Sequence, residues 1–118
     1  MSTEKKDSSV VIIINKEGMG NAEKALRLKL IGTYLNLLGD NDVLPEAICF
    51  YAEGVRLVVE GSPVLDQLVR LEEKGVHLII CQTCLNYYGL KDKVRVGIVG
   101  GMTDIIAAQW KADKVITL

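Results

Sequence analysis

Residues 9–15 read SVVIIIN, an unbroken run of five β-branched side chains bounded by Ser9 and Asn15. A continuous apolar run of this kind indicates a strand that is covered on both faces. Strands of this type occur in parallel sheets with helices on both sides. We therefore expect residues 9–15 to form a central strand of a parallel sheet.

Helix and strand patterns alternate along the rest of the chain. Apolar residues at spacings of three and four follow Asn21, which can cap a helix, and continue to Gly39. A second helix is predicted to start at Ser62, with Pro63 in its first turn, and to stop at Gly75. Further strands are predicted at residues 47–52, 76–80, 94–98 and 115–118, and further helices at residues 84–90 and 103–111.

This order of elements predicts the fold class. Strands that alternate with helices imply βαβ units with right-handed crossovers. We therefore predict an α/β fold, a three-layer sandwich in which a mostly parallel sheet of about five strands carries helices on both faces. Residues 55–59 fit either a short extended piece or a helical turn. In such sheets, sites form at the carboxyl ends of the strands.

Length and composition are typical of one globular domain, with 118 residues, 49% of them apolar and 25% charged. We assign residues 1–8 to a flexible tail and residues 9–118 to a single domain. No apolar run approaches the ~20 residues that span a bilayer, so a membrane span is not expected. Three cysteines and no signal-peptide pattern indicate reduced thiols and a cytoplasmic location. A net charge of −1 argues against nucleic-acid binding.

Cys81 and Cys84 form a Cys-x-x-Cys motif at the predicted end of the third strand. Cys81 should lie at the carboxyl edge of the sheet, and Cys84 in the first turn of the next helix. Amides and the dipole at a helix N-terminus stabilise a thiolate, which is the reactive form of cysteine. We therefore expect a catalytic pair in which Cys81 is the reachable thiol and reacts first. The alternative is that both sulfurs only fill space, because free cysteine is commonly buried.

Loops at strand ends supply the candidate ligand-binding residues. These are Gly18, Gly20, Asn21, Gln82, Thr83, Gly100, Gly101 and Met102. The loop after the first strand resembles a phosphate-cradling turn. Glu23, however, stands where the dinucleotide fingerprint needs a glycine, so NAD binding is not expected. The glycines after the fourth strand either admit a ligand or simply make a turn.

We expect neither a metal ion nor another cofactor. A zinc site usually needs four ligands. Besides the Cys-x-x-Cys pair, the only candidates are Cys49 and His77, and both lie within predicted strands. We interpret Cys49 as a core residue.

Three segments resemble the DsrE-like domain of the YedF group: residues 60–65 (EGSPVL), 71–76 (LEEKGV) and 81–90 (CQTCLNYYGL). The resemblance runs from Val10 to Leu118. That group is described as sulfurtransferase-like and is linked by name to selenium metabolism. Membership of the wider DsrE/DsrF family implies a flavodoxin-like fold, oligomers, and sulfur carried as a cysteine persulfide between partner proteins.

The resemblance also implies roles for the two thiols. Cys81 matches the family's sulfur-carrying cysteine by its place at the strand end and its distance from Gly89. Cys84 matches the second cysteine of a Cys-Gly-Thr-Cys form. The chain departs from the family pattern at Asn21 in place of aspartate, Gln82 in place of glycine, and Ala52 and Gly101 in place of asparagine.

Three functions stay open from the sequence. The first is a sulfur-relay protein that carries a persulfide on Cys81 and passes it to a partner, with Cys84 able to release sulfur by closing a disulfide. The second is a non-catalytic module that binds a small molecule or a protein. The third is a redox sensor that forms a Cys81–Cys84 disulfide. The donor and acceptor are unidentified, and the apolar helices indicate a homo-oligomer.

Overall fold

The computed structural model describes residues 9–118, and the tail expected over residues 1–8 lies outside this described part. The described chain forms one parallel sheet of five strands in the order β4-β3-β2-β1-β5. The strands are β1 (Val10–Ile14), β2 (Ala47–Phe50), β3 (His77–Cys81), β4 (Ile98–Gly100) and β5 (Lys114–Thr117). β1 pairs with β2 on one side and with β5 on the other. It is therefore an interior strand of the sheet, as predicted.

Helices cover both faces of the sheet. They are α1 (Lys24–Gly39), α2 (Leu65–Glu73), α3 (Gln82–Tyr88) and α4 (Met102–Lys111), with 3₁₀ helices η1 (Ala52–Val58) and η2 (Lys91–Lys93). Strands β1, β2, β3 and β4 follow one another across the sheet in one direction. Right-handed crossovers therefore place the segments that connect them on one face of the sheet. The return from β4 to β5 places α4 on the opposite face, where it contacts β3 and β4. The predicted α/β sandwich is confirmed.

The core is built around β1 and β2. From Val11 to Ile14, every side chain of β1 is at most 1% exposed, and all four residues of β2 are buried. Burial of one such aliphatic side chain contributes about 1.5–3 kcal/mol relative to exposure. Within residues 9–118, no helix has both the length and the apolar character that crossing a bilayer requires.

Two helices begin later than the sequence predicts. Asn21 does not cap α1, because the N-cap is Glu23, which makes no capping bond with its side chain. Ser62 does not cap α2 either, because its hydroxyl accepts a hydrogen bond from the backbone N–H of Val64 at 3.2 Å, and α2 begins at Leu65. Both polar residues therefore lie in turns that precede the helices.

The fourth strand is displaced from its predicted position. The sequence favoured residues 94–98, but β4 comprises Ile98–Gly100. Gly97 has a φ of +88°, which breaks the extended run, and Val94 forms an isolated antiparallel bridge with Val59 instead. The prediction of a strand at residues 94–98 is therefore wrong except at Ile98, and Gly100 is a strand residue that pairs with Cys81.

The segment that the sequence left open is the 3₁₀ helix η1. Its residues Val55, Leu57 and Val58 are completely buried. Gly54 allows η1 to lie against the end of β1, because a Cβ at this position would overlap the carbonyl oxygen of Ile14. The end of β1 and the start of η1 are therefore in direct backbone contact.

The close approach at Gly54 predicts a large effect of one added methyl group. Gly54→Ala should lower the free energy of unfolding by about 3 kcal/mol, because the overlap is with backbone that cannot move aside. Gly32→Ala is the matched control. Gly32 lies within helix α1, and a Cβ at this position would lie 3.9 Å from the side chain of Val64, an ordinary contact distance. This change should instead stabilise the protein by roughly 0.5–1 kcal/mol. Urea denaturation measures both, and a Gly54→Ala variant as stable as the wild type would contradict the contact.

Candidate functional site

The two cysteines of the Cys-x-x-Cys motif lie where β3 passes into α3, at the carboxyl edge of the sheet. Cys81 is the last residue of β3, and Cys84 is the third residue of α3. Their exposures are unequal, because Cys81 is 1% exposed while Cys84 is partly exposed. The expectation that Cys81 is the reachable thiol is therefore wrong for this fold. Burial of Cys81 follows from its place in the strand, where it pairs with Gly100 of β4.

A backbone amide is directed at the more exposed thiol. The N–H of Ala52 donates a hydrogen bond to Sγ of Cys84 at 3.1 Å. Ala52 follows β2 by two residues and is the first residue of η1. Its φ of +51° lies in the left-handed region, and within residues 9–118 no other non-glycine residue has a positive φ. Asparagine, which the family resemblance leads us to expect at position 52, tolerates this conformation better than alanine does.

Side-chain contacts hold η1 against α3. The guanidinium of Arg56 lies 4.4 Å from the ring centre of Tyr88, a cation–π contact between the two elements. Arg56 also forms an ion pair with Glu53 at 3.3 Å. The Arg56–Tyr88 contact therefore lies about one helical turn further along η1 and α3 than the Ala52–Cys84 hydrogen bond, and it supports that bond.

Burial is the main influence on the Cys84 thiol. Burial raises the pKa of Cys84, the Ala52 N–H opposes this rise, and the nearby Cys81 thiol adds to it. The expectation of a thiolate stabilised by the helix N-terminus is not met at Cys84, because burial raises the pKa of this thiol. The third cysteine, Cys49, is completely buried in β2, as predicted, and burial raises its pKa to about 11.

Several candidate ligand-binding residues surround the pair. Gln82 and Thr83 lie between the cysteines and are exposed. Gly100 lies beside Cys81 in the sheet, and Gly101 precedes α4. The N–H of Gly101 donates to the Asp104 carboxylate at 2.9 Å. Met102, the first residue of α4, is 48% exposed. The structure therefore brings five of the eight candidates to the Cys81 end of the sheet.

The remaining candidates lie in the loop after β1, beside an open cavity. Gly20 and Asn21 line this open cavity of about 490 Å³. Gly18 is instead packed against Arg27, so that a Cβ at position 18 would overlap that side chain. The sequence did not single out the other lining residues, which are Asn15, Lys16, Glu17, Ala22, Arg27 and Glu53.

Polar groups shape the wall of this cavity. Arg27 donates to the carbonyl of Glu17 at 3.2 Å and to that of Ala22 at 2.6 Å, which folds the loop over the start of α1. The Oδ1 atom of Asn15 is buried and has no hydrogen-bond partner. The signal that could have found Asn15 is its position, because it is the polar residue that directly follows the apolar run of β1.

A metal centre finds no support among the described side chains. Within residues 9–118, no three His, Cys, Asp or Glu side chains converge closely enough to hold an ion. His77 begins β3 and Cys81 ends it, so the histidine lies at the opposite end of the strand from the motif.

Comparisons with known proteins agree with this architecture. The chain is similar to a solved protein of unknown function, MTH1491 from Methanobacterium thermoautotrophicum, with 22% identity, a TM-score of 0.69, and coverage of 95% of this chain and 100% of that one. It is also similar to the ychN protein from E. coli, with 17% identity, a TM-score of 0.68, and coverage of 93% and 99%. The corresponding values for BT1422 from Bacteroides thetaiotaomicron are 14%, 0.64, 100% and 98%. These likenesses show a shared fold and confirm the flavodoxin-like class.

No curated protein matches the chain. The family comparison is more specific, because residues 8–118 match the DsrE/DsrF-like family, which includes all of the described sheet and both cysteines of the motif. The protein therefore belongs to the DsrE/DsrF-like family.

Proposed function

We propose that the protein is a sulfur-relay protein that carries sulfur as a persulfide on the Cys81–Cys84 pair. The observation that supports this most is the pair itself: two free thiols lie three residues apart where β3 passes into α3, at the carboxyl edge of the sheet, and one of them accepts a backbone N–H. In the family resemblance, Cys81 is the cysteine that holds the sulfur. A cytoplasmic location is part of the proposal, because it keeps both thiols reduced between turnovers.

Neighbouring thiols offer two ways to deliver the outer sulfur atom. An acceptor thiolate can attack the outer sulfur and take it away, which leaves a protein thiolate. Alternatively, the second thiolate can attack the inner sulfur, which closes a Cys81–Cys84 disulfide and expels hydrosulfide. A reductant must reopen the pair after the second route.

The cavity after β1 supports a second candidate function, a small-molecule binding module. It is large enough for a small ligand. The unpartnered Oδ1 of Asn15 is an acceptor that a ligand N–H or O–H could satisfy. In this alternative the cysteines take no part in function.

We further propose that the protein is a homo-oligomer in which α1 of one copy packs against α4 of the next. The inner side of α1 packs on the core through Ile31 and Leu35, yet its outer side is also apolar. The outer leucines are Leu26, Leu30 and Leu37, which are 46%, 39% and 62% exposed. The exposed stripe on α4 consists of Met102, Ile106 and Trp110, which are 48%, 47% and 85% exposed. Because α1 and α4 lie on opposite faces of the sheet, such contacts are head-to-tail, and they form a closed ring only if the rotation between successive copies closes.

The persulfide proposal predicts which cysteines are needed to load sulfur. Reduced protein treated with polysulfide should gain the mass of one sulfur atom, and a thiol acceptor should remove it. Cys49→Ala should load like the wild type, because Cys49 is completely buried. The double variant Cys81→Ser/Cys84→Ser should not load. Intact-mass spectrometry measures all three.

Other outcomes of the same experiment point elsewhere. A wild-type protein that never gains sulfur would contradict the proposal and favour the binding module. A loss of two hydrogens without added sulfur would indicate a Cys81–Cys84 disulfide and hence a redox sensor.

The head-to-tail contact predicts a specific pattern in light scattering. Wild-type protein should have a mass larger than one chain, and either Leu30→Glu or Trp110→Glu should reduce it to a monomer. A mixture of the two variants should recover pairs and nothing larger, because each pair keeps one intact α1–α4 contact. A monomeric wild type, or a mixture that recovers the full assembly, would contradict the contact.

A further inference from the structure

Ala52 combines an unfavourable backbone conformation with a hydrogen bond to a thiol. A positive φ is costly for alanine and persists only where the surrounding structure enforces it. The surroundings of Ala52 do so from two sides. Gly54 fixes η1 on the end of β1, and the Arg56–Tyr88 contact holds η1 against α3. The result is an N–H that points at Sγ of Cys84.

We propose that Cys84 is the thiol that first receives sulfur, that the Ala52 N–H positions it for attack, and that the sulfur then moves to the buried Cys81. The nature of the cargo rests on the proposed function. The order of the two thiols rests on exposure, and the role of Ala52 rests on its hydrogen bond. Ala52 is a positioning residue in this scheme, because it acts through Cys84.

The first step is an exchange of one sulfur atom without net oxidation. Cys84 loses its proton to solvent, and its thiolate attacks the outer sulfur of a low-molecular-weight persulfide. A new bond forms between Sγ of Cys84 and that sulfur, while the donor's S–S bond breaks. The donor leaves as a thiolate with the electron pair of the broken bond and takes up a proton. The Ala52 N–H donates to the thiolate form of Sγ, and such charge-assisted hydrogen bonds are stronger than neutral ones.

The second step moves the sulfur inward. Cys81 gives up its proton, and its thiolate attacks the outer sulfur of the Cys84 persulfide. The bond between Sγ of Cys84 and that sulfur breaks, and Cys84 leaves as a thiolate that takes up the proton. No oxidant or reductant is consumed. Cys81 is 1% exposed, so a persulfide held there is shielded from water and from stray thiols. Reversal of this step returns the sulfur to the partly exposed Cys84, where an acceptor thiolate can reach it.

The elements that meet at Cys84 carry the charged and titratable groups already described. Arg56 and Glu53 belong to η1, Tyr88 to α3, and Cys81 to β3. Arg56 and Glu53 form an ion pair with each other. Replacing Cys81 by serine removes the one thiol that interacts directly with Cys84.

The test measures the alkylation rate of Cys84 against pH in a Cys81→Ser/Cys49→Ala background. Ala52→Val should lower the rate at neutral pH about tenfold and move its midpoint to higher pH, because a β-branched residue leaves the left-handed region and withdraws the N–H. Ala52→Gly, which keeps both the N–H and the conformation, should retain the original profile. A folded Ala52→Val variant with an unshifted profile would overturn the role of Ala52.

A second measurement does not depend on a valine variant that folds. In ¹H–¹⁵N spectra of that background, the Ala52 amide resonance should titrate together with Cys84 and should stop doing so in Cys84→Ala. An Ala52 resonance that ignores the ionisation of Cys84 would overturn the proposal.

The order of the thiols is tested with polysulfide as the sulfur donor. Cys81→Ser should still gain a sulfur atom, whereas Cys84→Ser should lose at least about nine-tenths of the initial loading rate, because the remaining Cys81 is buried and buried thiols react slowly. The reverse result would overturn the order. If the wild type itself takes up no sulfur, the proposed function fails, while alkylation and the amide titration still decide the role of Ala52.

Discussion

Strand β1 pairs with a neighbour on each edge and is buried on both faces, and this position determines where the carboxyl edge of the sheet and its two sites lie. β1 bonds to β2 and β5, and its side chains from Val11 to Ile14 have almost no contact with water. Since all five strands are parallel, their carboxyl ends lie along one edge of the sheet, and the loops that follow them meet there. Both the cysteine pair and the cavity after β1 lie along this edge.

The end of β1 also determines where the Ala52 N–H lies relative to the Cys84 thiol. Gly54 brings η1 into backbone contact with Ile14, and this contact sets the path of the chain between β2 and η1. Ala52 lies on that path, and its left-handed conformation directs its N–H to Cys84. The same segment contributes Glu53 to the cavity after β1. One tightly packed turn therefore separates the thiol site from the cavity and shapes both.

Much of this could be predicted from local sequence. The apolar run of β1 indicated a central parallel strand, and the position of the Cys-x-x-Cys motif after the third strand placed it at the carboxyl edge. Gly75, the predicted stop of the second helix, lies beyond the end of α2 with a positive φ, as helix stops commonly do. These features depend on neighbouring residues in the chain, which is why a single sequence reveals them.

Features that depend on distant contacts could not be predicted in this way. The left-handed conformation of Ala52 follows from packing between η1, β1 and α3, and alanine carries no sign of it. The unequal exposure of Cys81 and Cys84 depends on β4 lying beside Cys81, and the sequence placed β4 several residues too early. Asn15 was passed over because its significance comes from an oxygen atom left without a partner in the folded chain.

Membership of the DsrE/DsrF-like family establishes the fold and directs attention to the thiols, but the proposed order of sulfur transfer depends on which thiol faces the solvent. Brief treatment of the native protein with limiting iodoacetamide, followed by peptide mapping, measures this directly. We predict that Cys84 is labelled first, that Cys81 follows slowly, and that Cys49 is labelled only after unfolding. Labelling of Cys81 ahead of Cys84 would contradict the proposed order.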